Sequence, residues 1–476
     1  MNKESSIKKT NMEKLFHKFK NAWIDLSDKD RESTFNLAAE YKKFLDAGKT
    51  ERECVSEIVS MAKKNGFENI QDLIVNKTPL KEGMKIYATY KEKTAALFII
   101  GKEPIEKGMN IIGSHIDSPR LDLKGSPLYE DAELALLKTH YYGGIKKYQW
   151  ATIPLSMHGV IIKKDGSKSS IAIGDDDNDP VFVVSDILPH LGKEQATKKI
   201  SEAITGEQLN VIIGNIPLKD KKVKEHVKLN ILNILKEKYQ IEEDEFISAE
   251  IEIVPAGKAK DAGLDRSLIL AYGHDDRVSA FPSLKAIFEI KHPQKMAVAL
   301  FTDKEEIGSV GNTGMCSAFF ENTVAELIAL EKQKYNELYL RRAFTRSRVL
   351  SADVNAGFDP SFPEVFDKRN SSYVGKGIIL TKFTGSRGKS EANDSNAEFV
   401  GEIKNLFTAN KIVWQASELG KVDAGGGGTI AYILANKGAD VIDCGVAVLN
   451  MHAPFELISK VDLFMAYKAY KVFLQS

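Results

Sequence analysis

The spacing of apolar residues changes character several times along the chain. Phe35, Leu37, Ala38, Tyr41 and Phe44 recur at helical spacing and predict an amphipathic helix. Thr50 and Glu53 then form a capping box in sequence, and Gly66, after Lys64-Asn65, reads as the stop of a second helix. Short apolar runs follow, bounded by glycine and polar residues: Ala95-Ala96-Leu97-Phe98-Ile99-Ile100, then Asn110-Ile111-Ile112. These predict neighbouring strands. Val160-Ile161-Ile162 and Ile171-Ala172-Ile173, joined through Lys164-Asp165-Gly166-Ser167, predict a β-hairpin, and residues 227–241 an amphipathic helix. From Leu268 strands and helices alternate. A strand at 268–272 leads to a helix through Ile290, with Pro282 inside it and His292-Pro293 closing it. The apolar run 296–301 comes next, then a long helical stretch, 315–342. Strands at 349–352 and 378–383 follow, then a helix at 429–436 behind the four glycines 425–428. Short strands at 441–442 and 446–448 precede a last helix, 461–474. No internal repeat or low-complexity segment is present.

The hairpin-rich middle lacks the strand-helix alternation on either side. It predicts an inserted domain at 124–263, interrupting a first domain made of 1–123 and 264–476, and 476 residues are enough for two cores. The composition, 43% hydrophobic and 28% charged, is that of a globular enzyme. Lys plus Arg equals Asp plus Glu at 66 each, which gives no global support for nucleic-acid or anionic-membrane binding. The basic run 219–228 lacks interleaved aromatics and reads as a solvated face. No apolar run is long enough to span a bilayer, and residues 1–20 are charged and lack a signal-peptide core. Cys54, Cys316 and Cys444 form no CxxC pair and no disulfide framework, so a reducing, cytoplasmic setting is expected.

The chemistry gathers where apolar runs stop. The run 296–301 ends in Thr302-Asp303-Lys304-Glu305-Glu306-Ile307-Gly308. An isolated Glu-Glu pair is ordinarily a solvated turn, but in an open α/β sheet ligands bind at the carboxyl ends of strands. There one glutamate can ligate a metal while its neighbour faces a bound water as general base. His115 and Asp117 follow another run and, on extended backbone, point to one face, so Asp117 can support a metal-bound imidazole. Asp275, Asp353 and His452 occupy similar strand-end loops. Two histidines with three carboxylates suit zinc, cobalt or manganese. A short carboxylate shared between two such ions would place them about 3.5–4 Å apart, and Asp275 fits that bridge, leaving Glu305 as the base. Other features carry less. The acidic run 175–179 lacks the glycine and terminal glutamate of an EF-hand, the four glycines lack the Lys-Ser/Thr of a P-loop, and Cys444 has no base near it in sequence. The glycines 425–428 read instead as a close backbone approach beside the substrate.

Five stretches, in order, resemble the aspartyl aminopeptidase / aminopeptidase I family of di-metal exopeptidases. They are Gly113-Ser114-His115-Ile116-Asp117-Ser118-Pro119-Arg120, Gly273-His274-Asp275-Asp276-Arg277, Asp303-Lys304-Glu305-Glu306-Ile307-Gly308-Ser309, Ser351-Ala352-Asp353-Val354 and Met451-His452-Ala453. The resemblance implies an α/β fold: a mixed-sheet, three-layer metallopeptidase catalytic domain with an inserted β-rich dimerisation domain. It implies a homo-oligomer, a dodecamer built from dimers, acting on peptides. By the same resemblance Asp275 bridges two ions, His115 and Asp353 complete one site, and Glu306 and His452 complete the other. Glu305 is then the general base and Asp117 the support of His115. Some members use a histidine of the inserted domain lent by a neighbouring subunit, and this sequence has none between His158 and His190. Arg387 and Lys389 are candidates for binding an acidic substrate side chain, and equally read as ordinary loop charges. Two rivals stand beside the aminopeptidase reading: a two-metal carboxypeptidase or deacylase, and a catalytically idle, metal-stabilised assembly protein.

Overall fold

The computed structural model describes residues 18–219, 224–385, 387–390 and 393–476. Residues 1–17 of the charged opening, residues 220–223 of the basic run and Ser386 lie outside the described residues.

Seven strands form the main sheet, in the order Glu68–Asn69, Lys85–Tyr90, Thr94–Ile99, Met296–Thr302, Met109–His115, Arg348–Ser351, Asp440–Asp443. Met296–Thr302 pairs antiparallel with Thr94–Ile99 and parallel with Met109–His115. It therefore separates the two runs expected to be neighbours. Adjacency in sequence carries no information about a strand that enters almost two hundred residues later. Every residue of Met296–Thr302 and Met109–His115 is buried, because helices cover both faces. On one face Leu97, Ile99, Ala299 and Phe301 pack into a core with Tyr41, Ile58, Phe281 and Tyr470. These four belong to helices Asp28–Ala47, Glu51–Lys64, His274–Glu289 and Lys460–Gln475. On the other face Phe98, Val298 and Leu300 meet Phe320, Leu327 and Phe344. The result is three layers, helix on sheet on helix.

Local signals hold where they were strongest. The Thr50 side chain accepts from Glu53 N–H and the Glu53 side chain closes the capping box. Gly66 follows the helix with φ +80°, a conformation that favours glycine. The 315–342 stretch is two helices, Phe319–Lys332 and Glu337–Thr345. Gln333 turns left-handed (φ 55°), and the Asn336 side chain caps the second helix by accepting from Leu338 N–H. Leu268–Ala271 lies outside the main sheet, in a three-stranded antiparallel sheet with Lys260–Ala262 and Glu456–Ser459. At four residues it is too short for its pattern to tell a half-buried strand from a fully buried one.

A second sheet of seven strands, all antiparallel, draws its strands from Arg120–Asp131 through Ala249–Pro255 and includes the hairpin Leu155–Ile162 with Lys168–Ile173. It has its own core around Trp150, Leu155, Ile161, Phe246 and Ile253. The chain leaves Met109–His115 and enters this sheet only five residues later, at Arg120. No helix among the described residues is long and apolar enough to cross a membrane.

Candidate metal centre

Three parallel neighbours of the main sheet end at the same edge. His115 is the last residue of its strand, Glu305 and Glu306 begin a 3-10 turn just past Met296–Thr302, and Asp353 sits two residues past Arg348–Ser351. Asp275 enters from the first turn of His274–Glu289. His452 enters from the turn before Glu456–Ser459, with φ 62°. One further carboxylate ties the last two together: Glu456 accepts from Asp275 N–H at 2.9 Å and from His452 N–H at 2.8 Å. All five residues expected as ligands converge in one place, as does Glu305.

Asp275 stands between the histidines. Its Oδ1 is 3.0 Å from His115 Nε2 and its Oδ2 is 3.3 Å from His452 Nε2. Asp353 Oδ1 and Glu305 Oε2 each lie 3.8 Å from His115 Nε2, and Glu306 Oε2 lies 3.4 Å from His452 Nε2. Each imidazole has its other nitrogen tied to a backbone carbonyl, so that nitrogen carries the proton. His115 Nδ1 donates to Asp117 O at 3.1 Å and His452 Nδ1 donates to Gly144 O at 2.8 Å. Both Nε2 atoms thus face the carboxylates, donating a proton to them in the absence of a cation and free to ligate one when it displaces that proton. Asp117 is fully buried and reaches His115 Nδ1 with Oδ1 at 3.3 Å, while accepting from Glu305 N–H and Glu306 N–H at 3.2 Å each.

The electrostatics show too much negative charge for the space. Burial pushes the Glu305 carboxyl up to about 8, and the carboxylates of Asp353, Asp275 and Asp117 push the same way, with His115 opposing them. Glu306 and Asp353 are raised for the same first reason, burial, with Asp275 adding to it. Burial opposes charging His452, but Asp275 and Glu306 carry it to about 10. Glu306 Oε1 is buried without a hydrogen-bond partner among the described residues. An orphaned carboxylate oxygen, two oriented imidazoles and an excess of acid form a donor set that fits divalent cations. The groups His115, Asp276, Asp353 and Asp275, Glu306, His452 each bring their donor atoms within 4.8 Å of one another.

A cavity of about 1050 Å³ opens over these residues. Glycines 425–428 line it, as do Arg387 and Lys389 on the wall, and Lys389 is paired with Asp394 at 2.8 Å. Asp443 also lines it, fully buried, and accepts from the Thr429 hydroxyl at 2.6 Å. Asp443 was missed in sequence although the signal was there: it ends the run Val441-Ile442 as Asp353 follows Val349-Leu350. Glu456 carried no such signal.

The family profile described as "Aminopeptidase I zinc metalloprotease (M18)" matches residues 44–474. Over 462 residues the chain is 55% identical to the probable M18 family aminopeptidase 1 of Clostridium acetobutylicum, spanning 97% of this chain and 99% of that one. A crystal structure of an M18 family aminopeptidase from Thermotoga maritima superposes with a TM-score of 0.92 at 44% identity, over 97% of this chain and 100% of that one. A Saccharomyces cerevisiae structure described as an mApe1 dodecamer shares the fold, with a TM-score of 0.73 at 22% identity over 92% and 96% of the two chains.

Proposed function

The chain belongs to the aminopeptidase I (M18) family of zinc metalloproteases and is a metal-dependent aminopeptidase; from that premise we propose that it holds two divalent cations, zinc first among them, in the cluster around Asp275. His115 and Asp353 would hold one and Glu306 and His452 the other, with the Asp275 carboxylate available to both. The observation that carries this reading is the split of Asp275, one oxygen toward each histidine. Bound cations would polarise the scissile carbonyl and acidify a water near neutral pH.

The chain's own groups do the rest. Glu305 takes the proton of the attacking water and returns it to the leaving amine. Its side chain is 17% exposed against 2% for Glu306, so of the two cavity-lining glutamates it is the more open to a water. Asp117 holds the His115 ring and both glutamate amides, which keeps base and ligands in register. The acidic side of the cavity suits a substrate's N-terminal ammonium, and Arg387 and Lys389 on the wall suit an acidic side chain beside it. The test compares a peptide with a free N-terminus against the same peptide acetylated, both with zinc. Loss of the N-terminal residue from the first alone is expected. Equal cleavage of the acetylated peptide would favour a carboxypeptidase or deacylase.

Residues 124–263 are proposed as an inserted oligomerisation domain, and the assembly as a homo-oligomer larger than a dimer, on the pattern of the yeast dodecamer. The support is local. Ile187, Leu188, Leu191 and Ile200 of the second sheet's outer loops are 46, 50, 68 and 66% exposed, an unusual apolar density for a free surface. Three free thiols, two of them buried, fit a reducing cytoplasm.

A further inference from the structure

Arg120 closes the first of the five sequence stretches, yet it never reaches the cation cluster. It is 6% exposed and is held by Glu51 at 3.3 Å, Glu252 at 3.2 Å and Asp122 at 2.7 Å. Its guanidinium lies 3.8 Å from the centre of the Tyr142 ring, its partner across the strand pair Arg120–Asp131 and Leu134–Tyr142. A guanidinium held that close over the ring restrains the phenol. The Tyr142 hydroxyl donates to Asp117 Oδ2 at 2.8 Å.

Among the described residues Asp117 Oδ2 otherwise accepts only a longer bond, from Glu306 N–H at 3.2 Å. The phenol therefore supplies the shortest contact to a buried carboxylate that also holds His115 and Glu305. The two residues after Tyr142 address the other half of the centre. Gly144 O accepts from His452 Nδ1 at 2.8 Å. Gly143 has φ +76°, and a Cβ there would stand 3.1 Å from Glu306 Oε2. One turn of the second sheet thus touches both halves.

We propose that Tyr142 is a positioning residue of the catalytic centre, which orients Asp117 and through it the His115 imidazole and the glutamate turn, so that the second sheet sets the geometry of the cation cluster of the main sheet. This inference rests on the metal-binding role proposed for His115. A phenol that merely satisfied a buried acid would leave cation binding and turnover unchanged when its oxygen was removed.

The experiment uses the full chain and Tyr142→Phe, which keeps the ring under Arg120. Zinc content is measured by elemental analysis and zinc affinity by chelator competition, beside kcat and KM on a peptide with a free N-terminus. Affinity for one of two zinc ions should fall about 10–100-fold, the scale for removing an outer hydrogen bond to a metal ligand. The value of kcat should fall about 10-fold and KM should stay within about twofold, since the phenol touches no substrate. In the background of Asp117→Asn the same change should cost nothing further, because the effect passes through Asp117. Unchanged affinity and turnover, or losses that add to those of Asp117→Asn, would overturn the inference. His115→Ala separates the two levels. If it loses zinc while Tyr142→Phe equals the parent, only the role of Tyr142 fails. If it keeps both ions, the metal assignment fails as well.

Discussion

Glu305 and Glu306 have the same side chain on adjacent residues but different surroundings. Both donate their amides to Asp117 and both line the cavity, yet the Glu305 side chain is the more open and lies toward His115, while the Glu306 side chain lies toward His452. They should fail differently. Glu305→Gln keeps size and hydrogen bonding but removes the proton acceptor, so hydrolysis should fall by at least ~10²-fold with both ions retained. Glu306→Gln removes an anionic donor, so zinc affinity should fall and activity should return partly in excess zinc. Metal analysis beside activity across a zinc titration checks both. Zinc lost from the first variant and kept by the second would reverse the assignment. At this scale sequence reasoning named the strand-end residues that the structure brings together, but not Asp443. It could not reach Tyr142 or Glu456, whose roles come from contacts across 25 and 181 residues.

Among the elements, the helix Glu51–Lys64 is joined to the second sheet by His158. Its Nδ1 is 2.8 Å from Glu53 Oε1, the residue of the capping box, and its Nε2 is 2.9 Å from Asp175 Oδ2. Lys49 stands beyond, 3.7 Å from Asp175. Burial opposes charging this imidazole, but Asp175 and Glu53 carry it to about 9. A folded-state value raised above the unfolded ~6.5 means that the ion pair stabilises fully below that pH and is lost as pH rises through about 9. The lowered value of Asp175 acts only at the acid end. The parent should therefore lose melting temperature between about pH 6.5 and 9.5 more steeply than His158→Gln. Parallel curves would show that the pair contributes nothing. Caps and hairpins of this kind are legible because their partners lie within a few residues. The order of strands is not, which is why Met296–Thr302 appears unannounced between two earlier strands.

For the whole molecule, the exposed apolar loops at 181–200 predict association. Light scattering should show a species larger than a dimer, and Leu188→Asp with Leu191→Asp should shift it to smaller species without altering zinc content. A parent that runs as a monomer would reject the assembly.

The sequence by itself determined which residues to expect at the candidate site. An apolar run in a sheet covered on both faces must stop before a charged side chain can reach solvent, and that stop is a local event visible in the string. His115, Asp117, Glu305, Glu306 and Asp353 were found for this reason, and the hairpin and capping box for the similar reason of short range. Only the tertiary structure decided that three strand ends lie side by side, that Asp275 turns one oxygen to each histidine, and that a tyrosine of the second sheet holds Asp117. These depend on pairings between segments far apart in the chain, set by how two cores pack against each other, and no periodicity along the chain records them.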